Sequence, residues 1–425
     1  MSALGDTMRS RTIVPLVVQQ HAEDAAILHS TRTALTRAPH VKLHHLRRFD
    51  DRLAAHLDGL SIAGKHAWPL LAAMLELPSS GRVFAAAILA VEDGDSDHLD
   101  HLFALSAAIP EIRVGLSSAL GWVQPQQLSG LVAGMLRSGD SLRRCMGIAA
   151  SAMHRVDPGV VFLRFLEDQD SCVRARTLRA AGELGKVGLL PLCTDAITDE
   201  DADAQSWAAW SAVLLGDDGV ALEALTSMSS RDQPDPRRLF WLALQAMSTS
   251  AMHNLLQSLT REPKDIRWLI EGAGIGGDPR YVPWLIAQME DDAKARIAGE
   301  AFSLITGADL AWLDLERKPP ENLNSGPNDN PDDSNVEMDQ DDGLPWPDPK
   351  KIEAWWQANE GRFQKGTRYF MGEPVSREHC ITVLKTGYQR QRILAAHYLC
   401  LLEPGTPLFN TSAPAWRQQR LLAAM

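Results

Sequence analysis

Histidines crowd the start of the sequence, where His21 and His29 are followed by His40, His44 and His45, and imidazoles grouped in this way are the usual material of a zinc site. The spacing argues otherwise. His44 and His45 are adjacent, so on a helix they project to different sides, and a closed site needs about four ligands converging at roughly 2.1–2.3 Å. Surface or capping histidines are expected there, and no metal. Asp97-His98 and Asp100-His101 repeat an acid and imidazole pair one turn apart, the pairing of a proton relay or a weak metal clip. Capping of a helix start by Asp97 is the simpler expectation. The run GAGIGGDP at 272–279 resembles a phosphate-cradling loop, but it follows a helical pattern instead of a strand, so the required geometry is missing. Cys145, Cys172, Cys193, Cys380 and Cys400 are odd in number and form no C-x-x-C pair, which suggests neither a disulfide framework nor a zinc knuckle. With no G-x-S-x-G, Walker or dinucleotide motif either, no nucleophile and base can be nominated. No catalytic residue and no cofactor are expected.

Arginine and tryptophan offer recognition instead. An Arg recurs every 30 or 31 residues at Arg52, Arg82, Arg113, Arg143 and Arg174, lapses twice, and returns at Arg267 and, 29 residues on, Arg296. A row of guanidiniums can grip carboxylates bidentately. The stronger expectation is structural: each Arg pairs with an acid in a neighbouring turn and lays its stem on the apolar seam. Trp210 and Trp241 lie 31 residues apart, at one phase of successive repeats, with Trp207 a turn from Trp210. The partner-binding candidates are therefore Trp207, Trp210 and Trp241 as anchors, with Arg174, Arg176 and Arg179 adding charge selectivity.

A period near thirty is that of stacked helical hairpins, each burying its apolar face on its neighbours. The clearest copy runs from Gly276 to Gly307. Its first helix carries Val282, Leu285, Ile286 and Met289 on one face, Glu290-Asp291-Asp292 turn the chain, and Ile297, Ala301 and Leu304 line a second helix ending at Gly307. Gly276 and Gly307, like Gly185 and Gly216, fall in register as helix ends. Ala and Leu dominate an apolar share of 45%, which favours helix over strand. The predicted fold is all-α, a right-handed α-solenoid with a helical C-terminal module. The copy around 234–247 is degenerate.

Charge marks the divisions. Residues 319–349 carry about −9 with no Lys or Arg, residues 350–425 about +6, and the preceding chain about −9. That balance argues against nucleic acid as a ligand and allows the basic tail to dock on the acidic remainder. The expected organisation is capping helices over 1–40, repeats over 41–316, an acidic flexible linker over 317–349, and a helical module over 350–425. The linker is rich in Pro, Asn and Asp and poor in apolar residues. The apolar run from Ile13 to Val18, broken by Pro15, is too short for a leader or membrane span, so a cytoplasmic protein is expected.

The repeats at 159–185 and 276–307 resemble the HEAT-like repeats first named from phycobilisome lyases. The opening IVPLVVQQHAEDAAILHSTR, the phrase APHVKLHHLRRFDDRLAAHLDGLSIAG and the ending GTRYFMGEPVS…VLKTGYQRQRILAAHYLCLLEPGTPLFNTSAPAWRQQ resemble a proteobacterial family of HEAT-repeat proteins found beside type VI secretion genes. By that resemblance Arg368, Tyr369, Gly372, Gln389, Arg390, Arg392, Phe409, Asn410 and Gln418 belong to the family's characteristic words, as a closing cap or as ligand contacts. The stacked hairpins lead to the expectation of a non-catalytic protein-binding scaffold, and the resemblance implies its context, an adaptor or chaperone for a secreted effector, toxin or spike component. An immunity protein that occludes a toxin, and an enzyme similar to tetrapyrrole lyases or isomerases, are the alternatives. The sequence leaves the oligomeric state open.

Overall fold

The computed structural model describes residues 13–228, 235–260, 266–321 and 338–425. The chain divides into two units: residues 1–35, 44–156 and 412–416 form the first, and residues 36–43, 157–411 and 417–425 the second. Both are built of helices, and among the described residues the only strands are β1 (Tyr369–Phe370) and β2 (Glu373–Pro374), a two-residue antiparallel pair.

In the first unit α1 (Pro15–Leu35) and α2 (Leu43–Ala63) precede three hairpins, made by α3 (Trp68–Leu75) with α4 (Ser80–Asp93), α5 (Ser96–Ala108) with α6 (Arg113–Trp122), and α7 (Leu131–Leu136) with α8 (Ser141–Met153). The second helix of each hairpin packs on the second helix of the next, and α1 packs on α4. Small residues make this approach close: every residue from Val83 to Val91 in α4 is buried. At Arg32 of α1 a buried ion pair with Asp50 of α2, at 2.5 Å, is completed by the Ser412 and Ala413 carbonyls, each 3.0 Å from a guanidinium nitrogen.

The second unit continues the pattern with α9 (Val161–Leu166) and α10 (Ser171–Glu183), α11 (Leu190–Asp195) and α12 (Ala202–Leu214), α13 (Val220–Met228) and α14 (Pro236–Ala246), α15 (Thr249–Leu259) and α16 (Ile266–Gly276), and α17 (Val282–Gln288) and α18 (Asp292–Thr306). The hairpin predicted over 276–307 is present: Val282, Leu285, Ile286, Met289, Ile297, Ala301 and Leu304 are all buried. The fold is thus the all-α helical-repeat class expected. A short polar residue, usually Asp, starts the second helices. Ser79, Asp140, Asp170, Asp201, Asp235 and Asp291 each accept a hydrogen bond from an amide two or three residues on, satisfying one of the orphan N–H groups of the first turn.

The remaining helices are α19 (Pro349–Asn359), α20 (Arg377–Thr386), α21 (Gln389–Leu402) and α22 (Ala415–Ala423). Here the structure departs from the expected tethered module. Helix α21 packs on α12 and α14, α19 packs on α17, and β1 packs on α18, so most of the C-terminal segment is integral to the second unit. The expected acidic linker also differs at its ends. Residues 322–337 lie outside the described residues, but Leu344 and Trp346 are buried and Glu316 bridges to Pro347. The apolar Leu-Pro-Trp-Pro stretch and the paired Asp339 and Asp341 supply the contacts that an all-polar tether would lack.

Glycine explains how the C-terminal segment comes so close. Gly277 and Gly307 follow α16 and α18 with φ of 73° and 72°, and a Cβ on either would collide with the backbone of Tyr369 or Met371. The amide of Tyr369 donates to the Gly277 carbonyl at 2.8 Å, and those of Met371 and Gly372 donate to the Leu304 and Ile305 carbonyls at 2.6 and 3.1 Å. A distant stretch of chain thereby satisfies carbonyls that helix ends leave unpaired. The left-handed residue is Gly277, one later than the predicted register at Gly276.

Candidate protein-binding site

The periodic Arg has two different occupations. In the first unit Arg82 donates to the Met74 and Leu77 carbonyls at 3.1 and 2.5 Å, and Arg113 donates to those of Ser106 and Ala107 at 2.9 and 3.4 Å. Each second helix thus caps the C-terminal end of the first helix of its own hairpin, where cations are also favoured by the helix dipole. In the third hairpin Arg144 instead holds the turn between the helices, at 3.2 and 2.8 Å from the Ser138 and Gly139 carbonyls. Arg143, assigned to the row from spacing, instead pairs with Asp100 at 2.8 Å and lies over Phe103. In the second unit Arg174 repeats the cap toward Asp168 and Gln169 and adds a bidentate pair with Asp199, both bonds 2.8 Å. The lapse after it is filled by Gln205, which reaches the Asp199 carbonyl at 2.5 Å.

The candidate binding residues fall into exposed and interior sets. Arg176 and Arg179 converge on Glu183 at 2.9 and 2.7 Å. Burial alone would raise the Glu183 carboxyl, but the two guanidiniums overcome it and hold the group down at about 2. Arg179 also lies 4.5 Å from the Trp207 ring centroid, and Arg238 lies 3.4 Å from it, so one half-buried indole is flanked by guanidiniums from α10 and α14. Burial lowers Arg238 to about 10 despite nearby Asp235 and Asp203. Trp210 is 3% exposed and meets His397 of α21 edge to face, so it packs inside the unit. Trp241 is half-buried beside a cleft lined by Arg237, Glu271, Glu300 and Arg390, with room for about one water, and its Nε1 has no hydrogen-bond partner among the described residues.

That cleft adjoins a cluster the spacing analysis missed. Arg267 of α16 binds the Asp341 carboxylate through two bonds of 2.9 and 2.5 Å, and Arg296 of α18 binds Asp339 at 2.7 Å and the Asp341 carbonyl at 3.1 Å. Arg390 of α21 pairs with Glu300 at 2.6 Å and donates to the Gln340 carbonyl at 2.6 Å. Arg237 of α14 reaches Glu271 at 3.1 Å and the Gln340 side chain at 3.3 Å. Burial raises the Glu300 carboxyl, with Arg390 opposing. The available signal was a Glu interrupting small and apolar runs in both IEGAGIG and AGEAF, for a lone carboxylate on a packing face demands a partner.

The remaining C-terminal candidates hold backbone and helix ends. Arg368 donates to the carbonyls of Leu244 and Met247 at 2.8 and 2.7 Å, of Gly276 at 3.2 Å, and of Gln245. Tyr369 and Gly372 belong to the stretch over α16 and α18. Arg392 is wholly buried among neutral acceptors, the Leu384 carbonyl at 2.7 Å, Gln418 at 2.6 Å and Gln389, and burial lowers it to about 10. Gln389 and Gln418 both donate to the Thr411 carbonyl, and Phe409 is buried. Asn410 lies half-buried between Phe409 and Thr411.

The histidine and cysteine candidates are dispersed. His44 and His45 touch edge to face, and His21 meets His56 with Nδ1 atoms 3.2 Å apart. Among the described residues, no three His, Cys, Asp or Glu side chains converge as metal ligands. Asp95, two residues before the expected cap, starts α5, accepting from the His98 amide at 3.0 Å and meeting its ring at 2.7 Å. The Gly-rich run is helical through Gly276: a Cβ at Gly272 would strike Leu256, and one at Gly274 would strike Ala301. Among the described residues no two of the five cysteines form a disulfide, and burial pushes Cys193 and Cys380 up to about 12.

A family model described as HEAT repeats matches residues 160–245, the stretch that supplies Arg174, Arg176, Arg179, Trp207 and Arg238. No curated protein and no solved structure shows significant similarity to the chain. Among the described residues no helix is long and apolar enough to cross a membrane.

Proposed function

We propose that this protein is a non-catalytic cytoplasmic scaffold that holds a protein partner. HEAT repeats as a class mediate protein contacts, because successive hairpins multiply one surface without requiring a deep pocket. The observation that carries the reading is the Arg179–Trp207–Arg238 stack, in which three consecutive second helices each contribute one side chain to a patch inside the matched repeats. A flat indole between guanidiniums suits an acidic or aromatic anchor on a partner.

The likeness of both chain ends to proteins encoded beside type VI secretion genes favours an effector or spike component as that partner, with the chain acting as adaptor or chaperone before export. Affinity capture from native cells expressing the secretion genes, followed by mass spectrometry, tests this. A specific secreted partner, lost with Trp207→Ala while the variant keeps its helical circular dichroism, is the expected result. Recovery of no specific partner by the intact protein overturns the reading. Self-toxicity on gene deletion would redirect it to an immunity role.

A further inference from the structure

The second unit holds a charge imbalance that its own acidic segment corrects. Arg237, Arg267, Arg296 and Arg390 project from α14, α16, α18 and α21 toward one place, where the helices themselves supply only Glu271 and Glu300. Four guanidiniums against two carboxylates leave about two uncompensated positive charges, a costly arrangement at partly buried sites. Asp339 and Asp341 provide the two missing negatives, and Gln340 accepts from Arg390 with its backbone oxygen and from Arg237 with its side-chain oxygen. Five positions beyond Asp341, Trp346 is buried with Arg296 4.7 Å and Arg317 5.5 Å from its ring centroid.

This is the chemistry of peptide recognition carried out within one chain: bidentate Arg to carboxylate, a main-chain carbonyl gripped by a second Arg, and an aromatic anchor at a fixed distance. We propose that the four-arginine cradle is a binding site for an acidic Asp-x-Asp segment of a partner protein, and that residues 339–346 occupy it as a displaceable internal ligand. The inference takes from the scaffold reading only that the natural ligand is a protein segment. A tethered occupant sets a threshold, because it competes at an effective concentration on the order of millimolar. Only a partner with more contacts, or one bound at a second surface as well, displaces it.

The test uses the full chain and a fluorescein-labelled peptide of residues 338–348. The Asp339→Asn, Asp341→Asn double variant should bind this peptide at least tenfold more tightly than the unmodified chain does. Binding should weaken steeply as salt is raised, and a peptide with Asn at both Asp positions should not bind. Equal binding of the Asp and Asn peptides, or no gain in the variant, overturns the inference. Should the variant fold poorly, hydrogen exchange on the unmodified chain decides the matter. At several millimolar unlabelled peptide, amides of 339–346 should exchange severalfold faster, and unchanged exchange overturns the proposal. Failure here with the native partner still captured removes the cradle as a site and leaves the scaffold reading standing. Absence of a captured partner, with peptide binding intact, does the reverse.

Discussion

Helix ends in the two units are finished by different means. In the first unit the work is local: Arg82 and Arg113 reach back five to eight residues to cap the helix before their own, Arg144 holds the turn before its helix, and Gly94 closes α4 with open space around it. In the second unit Arg174 and Gln205 still act locally, but the ends of α14, α16 and α18 are closed by residues 368–372, roughly a hundred positions away for the first two. Local capping lets a hairpin be self-sufficient. Remote capping makes hairpins depend on a strap, and it is the strap that requires the glycines to be bare.

The largest effect should come from adding a methyl group beneath the strap. Gly277→Ala combines a left-handed backbone with a collision against Tyr369 and should cost about 3–5 kcal/mol, whereas Gly94→Ala, left-handed but unobstructed, should cost about 1–2 kcal/mol. Denaturant unfolding of both variants measures the contrast, and equal losses would break the comparison. Arg368→Ala should follow at about 2–4 kcal/mol, since it orphans carbonyls at the ends of two helices. Arg113→Ala, with solvent able to replace it at one partly exposed end, should cost about 1–2 kcal/mol.

Protonation sharpens the contrast further down the scale. His29 in the first unit, through burial and then Arg32, and His397 in the second, through burial, are both held down at about 4. The neutral His397 ring donates from Nδ1 to Gln245 at 3.0 Å. Because the unfolded chain takes up these protons first, the stability they contribute is complete above pH 6.5 and falls as pH drops through 4. Thermal melts across that window should show the loss, and His397→Gln should reduce its slope. Glu183 acts lower, its contribution full above about 4.5 and lost toward 2, so Glu183→Gln should remove the pH dependence there. Smallest of all, Arg52→Ala should shift stability by no more than about 0.5 kcal/mol, for that guanidinium rests 5.9 Å from the Phe49 ring and, among the described residues, caps no helix end.

What could be read beforehand follows the same division. The apolar positions of hairpin 276–307 are legible in the sequence because they and the turn acids all act within about thirty residues, while the left-handed helix end falls one residue later than the register predicts. Spacing does not separate Arg143 from Arg144, since both sit on one turn and only their partners differ. Docking of Asp341 and burial of Leu344 and Trp346 were not legible, because a segment polar enough to be solvated was stabilised by guanidiniums 45 to 74 positions earlier. Trp210 and Trp241 share a repeat phase, yet α21 lies where an outside ligand was expected, as the edge of His397 against Trp210 shows.

The strap also orders events during synthesis. The hairpins ending at Gly277 and Gly307 leave the ribosome some sixty to ninety residues before residues 368–372 arrive, with their carbonyls still facing water. Translation at about 5–20 residues per second makes that interval several seconds long. During that time the nascent repeats offer an unfinished edge to any chaperone within reach, and completion of the chain withdraws it.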